Sequence, residues 1–391
     1  MSTKLIPLLA LFFCAIPLSA SAIIRCEMNG KPVNPNNGFE TATLTGMLRC
    51  KDEDSGKLQR EEELRDGKYI GLHRTYDRDG KLASERSVNE RGNSQGVEKQ
   101  FWPSGQLKSE STADNGQTLG VSRRYFENGN VERIGFIRER RAVVELNFNP
   151  DGSYADLRCP PASIIAEDRK PCGFNGKIET VLYTTNAKRR ALQTLDQGKL
   201  LAATTYADDG SVLNELSFDQ GRRRHRGYNT QGSADGKSVL SEERIYEPDE
   251  LPLNATAGRL QSSKLWAASG QATEQIVYTD GKPTQTDRWY LNGALKEKST
   301  VAGTGDTART QRERFNDDGK IASRETLTST GTAIGLQQYF HGNGKLRTET
   351  TYGDADARGR TRVIARKAWD ESGKLTADDE VLEDGSRKRK L

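Results

Sequence analysis

Gly71-Leu72-His73-Arg74-Thr75-Tyr76, then Asp77-Arg78-Asp79-Gly80, then Lys81-Leu82-Ala83-Ser84-Glu85 is the stretch that decides the fold. Side chains alternate along an extended strand, so Leu72, Arg74 and Tyr76 take one side and His73 and Thr75 the other. The aspartates can bond their own backbone, and Gly80 accepts positive φ without a Cβ clash, so the chain reverses there. Lys81 to Glu85 returns as the partner strand of a β-hairpin. The pattern recurs from Gly96 to Phe101 with Gly105 to Glu110, and from Gly120 to Tyr125 with Gly129 to Glu132. A period of about 25 residues marks one supersecondary unit stacked on itself.

One such hairpin carries about three apolar side chains. At about 1.5 to 3 kcal/mol each when buried, they cannot offset the entropy of ordering the hairpin alone. Neighbouring hairpins must therefore share a stripe. The expected fold is all-β: an elongated antiparallel β-hairpin repeat array forming a twisted sheet, with aromatics stacked along one face and the other face wet.

Later copies are Arg314-Phe315-Asn316-Asp317-Asp318-Gly319-Lys320-Ile321 to Glu325, and Gly335-Leu336-Gln337-Gln338-Tyr339-Phe340 with Asn343-Gly344 to Glu349. Fainter echoes surround Tyr206, Trp289 and Trp369. These segments resemble the MORN-variant repeats found in the bacterial YwqK-like antitoxin group. The resemblance implies a MORN-like β-hairpin array with a binding or scaffolding role, and it names no ligand. The period lapses between Arg133 and Lys199, and Pro248 and Pro252 blur it between Gly232 and Gly258.

The N-terminus has one cation, Lys4, an apolar run from Leu5 to Leu18, and Ala20-Ser21-Ala22, a small-x-small cleavage pattern. Residues 1–22 therefore read as a secretory signal cleaved near Ala22, with a periplasmic or secreted mature chain. A membrane span needs about 20 apolar residues, more than this run supplies. Cleavage removes Cys14 and leaves Cys26, Cys50, Cys159 and Cys172, an even count that suits disulfides after export. Three connectivities exist. Nearest-neighbour pairing closes the shortest loops, each contributing about 3 kcal/mol by chain entropy. No Cys-x-x-Cys pair is present and the chain has 3 histidines, so neither a metal site nor a cofactor is expected.

The organisation expected is a first array at 23–158, a Pro/Cys junction at 159–173, a second, degenerate array at 174–380 and a basic, disordered tail at 381–391. The chain is 34% hydrophobic and 29% charged, with a net charge of +4. So small a net charge gives little long-range field, and neither charge nor export favours nucleic acid.

Two candidate binding sets stand out. The arginines of Arg222-Arg223-Arg224-His225-Arg226 can grip phosphates, or can form a solvated loop paired with carboxylates. The second members of doubled aromatics, Trp102, Phe126, Tyr290 and Phe340, should face away from the first members and offer stacking surfaces. The Asp-rich turns do not make calcium loops: with Gly80 at the EF-hand glycine, Thr75 falls at the first ligand and Arg86 at the acid. Nucleophile elbow, phosphate loop and His-Glu-x-x-His motifs are missing, and the expectation is a non-enzymatic protein. Its expected partner is a protein, a toxin or envelope component; anionic lipid or cell-wall polymer is the alternative. End-to-end or edge dimerisation is compatible with a sheet having free edges.

Overall fold

A computed structural model describes residues 23–229, 238–248, 258–356 and 358–390; the segment read as a signal and the stretch around Pro252 lie outside them. The chain divides into two units, Met1–Gly152 and Ser153–Leu391. Among the described residues there are two unclosed antiparallel sheets, of 12 and 17 strands. Strands follow chain order throughout, except that Ile24–Met28 pairs with Gly46–Asp52 and carries Lys31–Val33 on its outer edge.

The founding hairpin closes as its residues dictate. Tyr76 pairs with Leu82, Asp77 N donates to Lys81 O at 2.9 Å, and Gly80, at φ +76°, donates to Asp77 O at 3.0 Å. Asp77 Oδ1 accepts from the amides of Asp79 and Lys81 at 2.8 and 2.9 Å, which accounts for the acidic turn without an ion. Several hairpins close at the opposite ends with two-residue turns such as Asp66-Gly67, Asn115-Gly116 and Gln197-Gly198, both residues at positive φ. That is the type I′ geometry whose twist matches the strands.

Successive turns are tied together. Lys81 Nζ donates to Pro103 O at 2.7 Å, Asn292 Nδ2 to Asp317 O at 2.9 Å and Lys345 Nζ to Ser372 O at 2.8 Å. These hairpins thus hang on a carbonyl of the next, which helps hold a repeat with little core of its own in register.

Each sheet begins with a buried cluster; further buried residues are Ile134, Val144 and Leu146 near the end of the first sheet and Leu327, Ile334 and Gln337 in the second. Cys26, Met28, Leu48, Cys50 and Leu64 form one cluster, with Val33 and Leu44 packed on it. Leu182, Ala191 and Leu195 are buried on the first two strands of the second sheet, Ile178–Tyr183 and Arg189–Asp196. A disulfide closes each start, Cys26 to Cys50 and Cys159 to Cys172. Between Leu200 and Ala322 no described residue is buried. The expected dry aromatic stripe is therefore only half-buried, because a single layer of sheet offers nothing to cover it.

The lapse of the motif does not interrupt the sheets, and two expectations are corrected. Hairpins continue where the motif lapses, with Val131–Arg138 paired to Arg141–Phe148 and Arg189–Asp196 to Lys199–Tyr206, since strand pairing needs alternation and turns, not the full motif. The tail is not wholly irregular: Arg387–Arg389 pairs with Leu375–Val381 as an edge strand. The arginine cluster is no loop. It lies in strand Arg222–Asn229, after the Gln220-Gly221 turn.

The two sheets also share a repeated segment. Tyr76, Gly80, Leu82, Gly92, Gly96 and Phe101 correspond at constant offset to Phe315, Gly319, Ile321, Gly331, Gly335 and Phe340. Both copies splay at the same place: Leu82–Val88 pairs with Gly96–Phe101, and Ile321–Thr328 with Gly335–Phe340, through two residue pairs each.

Candidate functional site: two rows of alternating charge

The hairpin register places the motif's glutamate opposite a residue two before the strand-end aromatic. Arg74 faces Glu85 and Lys99 faces Glu110. Register then carries the pattern across strands that share no hairpin. In the first sheet Glu27, Arg49, Glu61, Arg74, Glu85, Lys99, Glu110 and Arg123 are successive partners, one per strand, alternating in sign. Neighbours stand about 4.8 Å apart by strand spacing. Several are in contact: Arg49 with Glu61 at 3.0 Å, and Arg74 with Glu85 at 2.7 Å and Glu61 at 3.6 Å.

The second sheet carries a longer row. Glu215, Arg226, Glu243 and Lys264 alternate, followed by Gln275. Asp287, Lys298, Glu313 and Arg324 alternate next, followed by Gln338. Glu349, Lys367 and Asp378 complete it. In most hairpins the outgoing strand supplies the cation and the return strand the acid. From Asp287 to Arg324 the order is reversed. Gln275 and Gln338 stand at the two phase boundaries, where the usual acid or base would put like charges side by side. The reversal also separates the two copies of the repeated segment: Arg74 with Glu85 in one is Glu313 with Arg324, 3.0 Å apart, in the other.

A shallow depression of about 350 Å³ lies on the reversed block. Lys298, Glu313 and Arg324 line it from the row, with Thr300, Gln311, Thr326 and Leu336 beside them. Leu336 is 47% exposed, and Val97, its counterpart in the first sheet, is 51% exposed. Each follows the positive-φ glycine that opens its strand, Gly335 or Gly96, at the splay. Each copy thus presents an apolar side chain next to ordered charges.

Tyrosines brace the rows in both units. Tyr76 donates to Glu61 at 2.5 Å, and Tyr228 donates to Glu215 at 2.6 Å beside Arg226, which holds Glu243 at 2.8 Å. Burial and the bond to a carboxylate push both phenols up to about 12. A folded-state value above the unfolded 10 contributes stability that is full below pH 10 and lost as pH rises through 12. Melting temperature should therefore fall across that window, and Tyr76→Phe with Tyr228→Phe should flatten the fall; an unchanged slope would show these bonds contribute nothing.

The expected site residues are placed as follows. Arg224 and Arg226 turn to one side and pair with Glu243, at 3.7 and 2.8 Å. Arg223 lies over the Tyr246 ring at 4.1 Å, and Arg222 is exposed. Burial holds the His225 imidazole below its ordinary pKa. The four arginines are thus divided between two faces. Trp102 Nε1 donates to Tyr125 O at 3.2 Å and Lys108 covers the ring; Tyr290 donates to Phe315 O at 2.9 Å under Lys296. Phe126 is half-buried at the first position of its turn. Phe340 takes the strand-end place of Phe101, paired with Leu346, and His341 takes the turn place of Trp102. Sequence reasoning singled out neither the row's continuity nor Val97, Leu336, Gln275 and Gln338. Reading the charge two residues before each strand-end aromatic down all copies would have exposed the hairpin pairs from which the row is built.

Two segments, residues 94–115 and 334–354, match the family model described as the MORN repeat variant, and they are the hairpins that follow the two splays. No curated protein matches the chain. Among solved structures it is similar to the crystal structure of TcdB2-TccC3-TEV, at 9% identity over 87% of this chain and 21% of that one, TM-score 0.19. It is also similar to the Photorhabdus luminescens Tc holotoxin pore, at 12% identity over 88% and 20%, TM-score 0.17. The chain spans about a fifth of the length of these matched chains, and likeness at such TM-scores carries no functional information.

Proposed function

We propose that this is an exported, non-enzymatic repeat protein that binds a protein partner through the row-bearing faces of its sheets, with antitoxin-like neutralisation of an envelope toxin as its most specific form. One observation supports it above the others: exposed Leu336 and Val97 stand beside ordered charge rows, in the two hairpins that match the MORN-variant model. An apolar anchor with a polar, ordered surround is how protein interfaces are built. The N-terminal sequence and two disulfides are compatible with export.

An anionic lipid or wall polymer suits these faces less well. A row alternating every 4.8 Å repeats its sign at about 9.6 Å, so its field cancels at about that distance from the sheet, and only a surface in contact and in register feels it. The test is affinity capture by the tagged mature protein from its native envelope in high salt. One stoichiometric protein should be retained by the wild type and lost, by a hundredfold or more in affinity, from Val97→Glu/Leu336→Glu, with unchanged melting temperature. Capture that survives both substitutions would exclude these faces; sedimentation with anionic membranes at low salt alone would favour the surface adaptor.

A further inference from the structure

Register places Val33, Cys26, Cys50 and Arg60 as successive cross-strand partners at the start of the first sheet. The disulfide therefore joins directly opposed residues of neighbouring strands, Ile24–Met28 and Gly46–Asp52. Its two sulfurs have different surroundings. Cys50 is fully buried and Arg60 Nη2 lies 3.7 Å from its Sγ. Cys26 is 7% exposed and lines an open cavity of about 720 Å³ beside the edge strand Lys31–Val33, walled by Ile24, Pro32, Val33, Pro35 and Glu40. That volume is the size of a small-molecule site.

We propose that the Cys26–Cys50 bond is a thiol-exchange site, at which an incoming small thiol bonds to Cys26. The thiolate enters the cavity and attacks Cys26 Sγ. A new bond forms between the incoming sulfur and Cys26, the Cys26–Cys50 bond breaks, and Cys50 leaves as a thiolate carrying the electron pair. The incoming thiol is oxidised into the mixed disulfide and Cys50 is reduced, so no further oxidant or reductant is needed. Exchange rates depend on the leaving thiol's acidity, and a guanidinium against sulfur lowers a thiol's pKa. Arg60 thus decides which cysteine leaves. The modified cysteine lies within the buried cluster that begins the first sheet, so exchange acts on that cluster.

Glutathione is the probe. The folded mature protein is incubated with reduced glutathione, free thiols are alkylated under native and then denaturing conditions, and the peptides are mapped by mass spectrometry. Glutathione is expected on Cys26 and the alkyl group on Cys50. Arg60→Gln should slow the reaction about tenfold and Arg60→Lys should restore most of the rate, with melting temperatures reported for both. Glutathione on Cys50, reaction confined to Cys159 and Cys172, no adduct, or equal rates in wild type and Arg60→Gln would each overturn the proposal.

Discussion

Gly198→Ala is expected to cost at least about 3 kcal/mol and to unravel the start of the second sheet. Gly198 is the second residue of the Gln197-Gly198 turn, at φ +75°, and its amide donates to Cys172 O at 2.8 Å. A Cβ there would lie 1.9 Å from Pro160 O and 2.9 Å from the Phe174 ring. A left-handed conformation alone costs a non-glycine residue about 1–2 kcal/mol. The collision adds to this because the atom struck is a backbone carbonyl in the loop closed by Cys159 and Cys172. Gly30→Ala is the control: the same φ of +75° with nothing within 4 Å should cost about 1 kcal/mol. Thermal melting with hydrogen exchange of Ile178–Tyr183 and Arg189–Asp196 measures both. Equal effects at the two glycines would mean that the turn does not dock as described.

Gln337→Ala should have the next largest effect, about 1–3 kcal/mol, and it should act at the splay of the second sheet. Gln337 is 1% exposed, and its Nε2 donates to Thr326 O and Ile334 O, both at 2.8 Å. Those carbonyls lie where Ile321–Thr328 and Gly335–Phe340 have parted, so the side-chain amide stands in for missing ladder bonds. Truncation leaves Ile334 O short of a donor, at about 1–3 kcal/mol if it stays buried, while Thr326 O still accepts from Ile334 N at 2.9 Å. Gln337→Glu should be worse, since an ionised carboxylate donates nothing to two facing oxygens. Hydrogen exchange of Gly335–Phe340 should accelerate in both variants while Ile178–Tyr183 stays protected. Unchanged exchange at the splay would show that the strands are held by something else. If Leu336 anchors a partner, loosening this hairpin should also weaken capture, because Leu336 is the adjacent residue on the same strand.

Much of the fold was legible in the sequence. Gly80, with Asp77 and Asp79, determined where one hairpin turns, because only certain backbones accept that geometry. The spacing of Tyr76, Leu82 and Glu85 determined which residues face one another within it. Alternation over a two-residue period then put Arg74 opposite Glu85, so the local charge pairs were readable before any coordinates. The stacking aromatics were not. Trp102 and Tyr290 look like open rings in the sequence, and the structure engages them with carbonyls 23 and 25 residues further on.

The rows belong to the tertiary structure alone. A hairpin's register is set by its own turn, but the pairing of Glu85 with Lys99, or of Arg324 with Gln338, crosses an irregular connection and is settled by how whole hairpins lie together. A slip of one residue there would move every side chain to the other face and break the row. For the same reason Gly198 reached Pro160 and Leu336 came to stand beside Lys298. The sequence by itself determined the unit and its internal contacts, since those are local backbone chemistry; the tertiary structure decided what each unit sets next to the following one, since that depends on contacts between segments that no single turn constrains.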